Sequence, residues 1–232
     1  MRQTDTKHVR RLPLFADMAP AHFEQLMQGA FLQSFPPRLE LVREGELPDF
    51  LHIVVDGAVE LYATFEARES ALALLGPNAT FVVAAVVRDE VYLTSARTLV
   101  PARILMIPAA AVRAVFDTDA AFARATVREL ARRYRDVVRD LKSARLRSGL
   151  ERLADYVLRL AEAHGRKGVV ELAIEKRTLA SYLGMAPEHL SRALAELARH
   201  GVEVRGHALT ITDKALLRRL AKPQPLLDAR DA

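Results

Sequence analysis

The rhythm of hydrophobic and polar positions changes several times along the 232-residue chain. Between residues 12 and 31, Leu12 and Phe15 lead into Met18, Phe23, Leu26 and Met27 at helical spacing, and Pro36-Pro37 stops the run. From Leu39 to Met106 the pattern shortens to β-rich runs at 39–42, 50–55, 58–64, 71–75, 91–98 and 102–107. Glu44-Gly45-Glu46, Asp56-Gly57 and Gly76-Pro77-Asn78 separate them, and Asp56-Gly57 is a strong two-residue hairpin signal. Many short strands at even spacing predict a small antiparallel β-barrel or jelly roll, either filled by side chains or holding one small ligand.

Pro108 ends the β-rich region, and a long helix is predicted over 119–146. Ala123, Val127, Leu130, Tyr134, Val137, Leu141 and Ala144 alternate steps of four and three, the seam of a coiled coil, flanked by arginines and aspartates. The expected interface of a parallel homodimer is therefore Val127, Leu130, Tyr134, Val137 and Leu141. The competing expectation is a helix packed on its own barrel. Ser148-Gly149 reads as a hinge into the next helix, 150–163.

Lys176 to Ile211 reads as helix, tight turn, helix and β-hairpin. Leu179, Ala180 and Leu183 sit at helical spacing, Gly184 breaks the helix, and Pro187 takes the first position of a second helix over 187–199. Leu190, Ala193, Leu194 and Leu197 form its inner face. Glu188, His189, Ser191 and Arg192 face outward near its start. Small Ala180, four residues before the turn glycine, permits the close crossing of a helix-turn-helix, with Val202–Ile211 as its wing. Glu accepts from the cytosine amino group, Arg pairs with guanine O6 and N7, and Ser serves a base edge or a phosphate. Glu188, Ser191, Arg192, His189 and Arg177 are the expected contacts to double-stranded DNA. A plain helical hairpin is the alternative.

The expected fold is thus α+β: an antiparallel β-barrel or jelly roll over 1–118, a dimerisation helix over 119–147 and a winged helix-turn-helix over 148–232. Charge agrees with that division. Residues 141–232 hold 17 basic and 11 acidic side chains, whereas 1–140 hold 17 and 18, which puts the basic excess in the half expected to meet phosphates. No apolar run is long enough to span a membrane, and the basic N-terminus lacks the apolar stretch of a secretory signal, so a cytoplasmic protein is expected. The absence of cysteine excludes disulfides, a thiol switch, a cysteine-ligated iron–sulfur cluster and thiolate-ligated haem. Nothing in the sequence suggests an enzyme: it has no phosphate-binding glycine loop, zinc-ligand spacing or localisable catalytic triad. An adaptor without DNA binding is disfavoured by the grouping of Glu188, Ser191 and Arg192.

This order of parts, with Glu44-Gly45, Asp56-Gly57 and Pro187-Glu188-His189-Leu190-Ser191-Arg192, resembles the CRP/FNR family of bacterial transcription regulators over about residues 12–220. The last phrase is similar to the Glu-x-x-Ser-Arg signature of the FNR branch. That resemblance implies half-sites like TTGAT in a palindrome like TTGAT-N4-ATCAA, and recruitment of RNA polymerase through exposed barrel loops. Family members that bind cyclic AMP hold its phosphate with Gly-Glu and Arg-Ser pairs. The matching positions here are Val82-Val83 and Tyr92-Leu93. A phosphate facing that apolar wall would carry a prohibitive desolvation cost, so cyclic AMP is not expected.

The expected effector pocket is apolar, with Phe81, Val82, Val83, Tyr92 and Leu93, and with Val86 and Val87 near its mouth. The phrase from Lys176 to Glu188 resembles the NnrR group of the NnrR/DNR-type regulators of denitrification. The resemblance implies an activator responding to nitric oxide or low oxygen, through haem in the DNR type. Haem would take an imidazole from His8, His22 or His52, with Met106 as a second ligand. Each has a plainer reading: His8 in a loose terminus, His22 on a solvent-facing helix, His52 on the surface or hydrogen-bonded in the core, Met106 packed in the barrel. A filled barrel with no effector at all, or one holding a different apolar ligand, would look the same in sequence.

Overall fold

Val9 is fully buried, and the structure departs from expectation there first. The computed structural model describes residues 3–164, 168–172 and 174–228. Its N-terminus is a helix, α1 (Gln3–Arg10), anchored by Val9, with His8 on its exposed side. α2 (Pro20–Gln28) buries Phe23 and Leu26 as expected. β1 (Phe31–Phe35) follows at once and was not legible, because its alternation is interrupted by exposed Phe31 and by Ser34.

β2 (Glu40–Val42), β3 (Phe50–Asp56), β4 (Val59–Phe65) and β5 (Arg68–Leu75) lie close to their expected positions. β6 (Thr80–Phe81) and a short helix α3 (Val83–Arg88) come next. The strand expected over 91–98 forms only as β7 (Ser95–Thr98), and β8 (Ala102–Pro108) completes the region. These strands form two antiparallel four-stranded sheets, ordered β1-β8-β3-β6 and β2-β7-β4-β5, rather than one closed barrel.

Asp56-Gly57 does not make a hairpin of paired strands. β3 and β4 belong to different sheets, and the turn carries the chain from one to the other. Gly57 has φ +88°, and a Cβ there would stand 2.5 Å from the Pro101 carbonyl oxygen, so only glycine fits the corner.

Val54, Phe81, Ala102 and Ile104 of one sheet pack against Val42, Val59, Leu75 and Ala96 of the other. The outer face of the first sheet, with Leu51, Ile53, Leu105 and Ile107, is covered by α2, by α4 (Ala109–Thr118) and by Phe122 at the start of α5 (Ala120–Leu146). α4 was not expected from the sequence, which was read as helical only from Asp119; Asp119 divides α4 from α5. Its Oδ1 accepts from the N–H groups of Ala121 and Phe122, each at 2.9 Å, and caps α5.

The C-terminal half comprises α6 (Gly149–His164), β9 (Val169–Glu171), α7 (Lys176–Tyr182), α8 (Pro187–Glu196), a 3-10 turn at Leu197–His200, β10 (Val202–Arg205), β11 (Ala208–Ile211), α9 (Lys214–Ala221) and α10 (Pro225–Asp228). The expected wing gains a third strand, in the order β10-β11-β9. The chain divides into two compact units, residues 1–133 and 134–232, with the boundary inside α5.

Candidate DNA interface and effector wall

The turn between α7 and α8 is closed by hydrogen bonds that demand a left-handed residue. Gly184 N–H donates to the Ser181 carbonyl and Met185 N–H to the Ala180 carbonyl, each at 2.9 Å, which is a Schellman motif. Gly184 supplies it with φ +62°. Ala180 is fully buried, and its methyl leaves room for a close helix crossing. Leu190 and Leu194 bury one face of α8. The opposite face carries Glu188, His189, Ser191 and Arg192, all exposed.

Ser191 Oγ donates to the Pro187 carbonyl at 3.1 Å, which leaves its lone pairs facing outward. Glu188 and Arg192 enter none of the ion pairs among the described residues. The structure therefore brings four of the five expected DNA contacts onto one helix face. Arg177 is exposed on α7, apart from that face.

Arg152 was missed by sequence reading. Its Nε donates to the Leu183 carbonyl at 2.8 Å, and its Nη1 and Nη2 donate to the carbonyls of Arg147, at 2.6 Å, and Gly184, at 3.3 Å. One guanidinium thus satisfies carbonyls at the ends of α5 and α7 and fixes the turn against α6. It borders an open cleft of about 650 Å³, shared with Gly149, Met185, His189 and Arg192. The expected hinge is also tied down. Ser148 N–H donates to Glu151 Oε2 at 2.7 Å and Glu151 N–H to Ser148 Oγ at 3.3 Å, a capping box at the start of α6. Lys222 Nζ, 2.6 Å from Glu151 Oε1, and the Ser148 N–H hold the Glu151 carboxyl down at about 2.

In the N-terminal unit, Phe81, Val83 and Tyr92 are buried and Val82 is half-buried. Leu93 departs from the expected wall: it is 82% exposed and faces solvent. Val82 has φ +58° and ψ +19°, a left-handed conformation that a β-branched residue rarely adopts. It is the residue that the family resemblance sets against the glycine of the cyclic-AMP-binding members.

The histidines fall into three environments. His8 is exposed on α1. His22 is not a plain solvent-facing residue: its Nδ1 lies 2.9 Å from Asp119 Oδ2, which also accepts from Ala19 N–H at 2.9 Å. His52 is 2% exposed, and neither ring nitrogen has a hydrogen-bond partner of good geometry. Burial pulls its pKa down to about 4, opposed only in part by the Phe50 backbone, so the ring is neutral at physiological pH.

His52 and Met106 are register partners on adjacent strands, and both side chains leave the same face of the sheet. They do not fit as ligands on opposite faces of a haem. Among the described residues, no group of three or more His, Cys, Asp or Glu side chains is placed to hold a metal ion.

On α5, Val127, Tyr134, Val137 and Leu141 are between 54% and 70% exposed. Phe122 and Thr126 are buried on another face, and Leu130 packs partly against the core of the first unit. The helix thus uses one face for its own unit and leaves an apolar stripe uncovered. No helix among the described residues is long and apolar enough to cross a membrane.

Comparison with known proteins agrees with this anatomy. Residues 32–119 match the cyclic nucleotide-binding domain model, and residues 151–220 match the Crp-like helix-turn-helix domain model. The chain is similar to the CRP-like cAMP-activated global transcriptional regulator of Mycobacterium tuberculosis, at 25% identity, with 91% of this chain and 97% of that protein covered. It is 27% identical to the cyclic AMP receptor protein of Thermus thermophilus, over 90% and 96% of the two chains. Its fold matches FixK2 from Bradyrhizobium japonicum with a TM-score of 0.74, at 21% identity over 88% of this chain and 99% of that one. With both domain models in their expected order and relatives aligned along nearly their whole length, this chain belongs to the CRP/FNR family of DNA-binding transcription regulators.

Proposed function

We propose that the protein acts as a cytoplasmic homodimer that reads TTGAT-like half-sites, in a palindrome such as TTGAT-N4-ATCAA, and activates genes in response to nitric oxide or low oxygen. The grouping of exposed Glu188, Ser191 and Arg192 on one face of α8 carries the DNA half of this reading. The stripe of Val127, Tyr134, Val137 and Leu141 supports the dimer, since a two-fold protein meets two half-sites one DNA turn apart. RNA polymerase is the partner that the family resemblance supplies. The nitric-oxide signal, with denitrification as its setting, rests on the resemblance of the Lys176–Glu188 phrase to the NnrR group.

Cyclic AMP, named for the Mycobacterium tuberculosis and Thermus thermophilus relatives, is not the effector in this reading. Its phosphate would meet Val82, Val83 and Tyr92, with no guanidinium at the matching position. Control works by population shift: a ligand that binds one arrangement of the dimer better than another changes DNA affinity by that difference. Fluorescence anisotropy with the palindromic duplex, with and without nitric oxide, tests the reading. Tight binding to the palindrome that nitric oxide enhances supports it; indifference to sequence removes it.

A second reading of the signal keeps the DNA function and replaces nitric oxide with a different apolar ligand inside the jelly roll. The observation that favours it is His52, a neutral buried ring whose two nitrogens have no hydrogen-bond partner of good geometry.

A further inference from the structure

Four rings run in contact from the surface to the interior of the jelly roll. Phe31 and Phe50 meet edge to face with centroids 5.3 Å apart, Phe50 meets His52 at 6.4 Å, and His52 stacks on Phe81 at 5.1 Å with 24° between planes. Exposure falls along the series, from 39% at Phe31 through half-buried Phe50 to 2% at His52 and 3% at Phe81. Strand register produces the row. Phe31, Met106, His52 and Phe81 are successive partners across β1, β8, β3 and β6, and directly opposed residues share a face. Val54 and Ile104, two positions along β3 and β8 on that face, belong to the core between the sheets.

The row therefore forms an aromatic path with one polar ring in it. Buried polar atoms are almost always hydrogen-bonded, and neither His52 nitrogen has a partner of good geometry within the protein, so the ring can take one from a ligand. We propose that the jelly-roll interior binds a small uncharged molecule with an aromatic or apolar body and one hydrogen-bonding group. The body lies along Phe31, Phe50 and Met106, and the polar group meets His52. A neutral imidazole presents one donor and one acceptor, so a hydroxyl or an amide suits it. Phe31, Phe50, Met106 and Phe81 bring no charge to pair with a phosphate or a carboxylate. The proposal rests on the second reading above, in which this unit is an effector domain for an apolar ligand.

Phenol and toluene are a matched pair for the test, with hydroxyl exchanged for methyl. Each is titrated into the full-length protein while the ¹⁵N shifts of the His52 ring are followed. The expected result is one phenol per protomer, bound about tenfold tighter than toluene, with the His52 nitrogens moving. His52→Phe, which keeps the stack on Phe81, should equalise the two. His52→Gln, which keeps a donor and an acceptor, should preserve the preference. Equal affinity of the wild-type protein for both, no saturable binding of either, or an unchanged preference in a folded His52→Phe variant would overturn the proposal. So would ring nitrogens already hydrogen-bonded to an ordered water before ligand is added. Phenol-selective binding that leaves DNA affinity unchanged would uphold the site and remove the effector reading alone.

Discussion

Arg147 donates through Nη1 and Nη2 to Oδ1 and Oδ2 of Asp228, at 2.6 and 2.7 Å, and so fastens α10 to the joint between α5 and α6. Both side chains are largely buried. Arg147 also donates to the Lys222 carbonyl at 3.0 Å and lies 3.6 Å from Asp155. Burial pushes the Asp228 carboxyl up, but Arg147 and the Gln224 N–H outweigh it and hold it below the ordinary carboxylate value.

Asp228→Ala would remove the two-pronged partner from a buried guanidinium. The expected cost is about 2 kcal/mol, read by urea unfolding of the full-length protein. The same variant should discriminate less well between correctly and wrongly spaced half-sites, because the joint that sets the helix-turn-helix is loosened. Unfolding and spacing preference identical to wild type would show that α10 does not hold the joint.

Arg192→Ala should lose about 1–3 kcal/mol on the specific duplex and relax discrimination at one guanine. Glu188→Ala should do the same at the paired cytosine. The check is a set of duplexes substituted one base pair at a time. Uniform weakening on specific and random DNA would make these residues phosphate contacts instead.

At Val82 the usual ranking of substitutions should invert. Alanine keeps the Cβ penalty of the left-handed conformation, while glycine has none, so Val82→Gly should be more stable than Val82→Ala by about 1 kcal/mol. Thermal melts of the two variants decide it. If alanine is the more stable, the backbone at this position is not left-handed.

Asp119 gives the N-terminal unit a sensitivity to acid. Burial pushes its carboxyl up, but the N–H groups of Phe122, Ala19 and Ala121, with His22, pull it down to about 2, against an ordinary 3.8. A carboxyl lowered by folding contributes stability that is fully present above the ordinary value and is lost as pH falls from about 4 towards 2. Wild-type protein should therefore lose about 1 kcal/mol more than Asp119→Asn between pH 6 and pH 3. Parallel urea curves for both proteins across that range would contradict the assignment.

The helix-turn-helix was legible because each of its parts uses local chemistry: Gly184 for the left-handed turn, Pro187 for the helix start, leucines at helical spacing for the inner face. The jelly roll was legible as strands but not as sheets. Asp56-Gly57 carries the local signature of a hairpin, and only the close approach to Pro101 and Ala102, far along the chain, makes it a corner between sheets. Arg152, Arg147 and the His22–Asp119 pair were invisible for the same reason. Their partners lie up to 97 residues away, and an isolated arginine or histidine says nothing of what it will meet. Leu93 was placed on the wall by motif alignment, which transfers position along the chain but not the direction of a side chain.

Sequence reading by α8 in a two-fold complex is tested most directly by fluorescence anisotropy at physiological salt. The protein is titrated against TTGAT-N4-ATCAA, against the same duplex with one half-site scrambled, and against random DNA. The expected result is one dimer per palindrome, bound about a thousandfold tighter than random DNA, with most of that preference lost when one half-site is scrambled. Equal affinity for all three duplexes would contradict it and leave only a basic surface that binds phosphates.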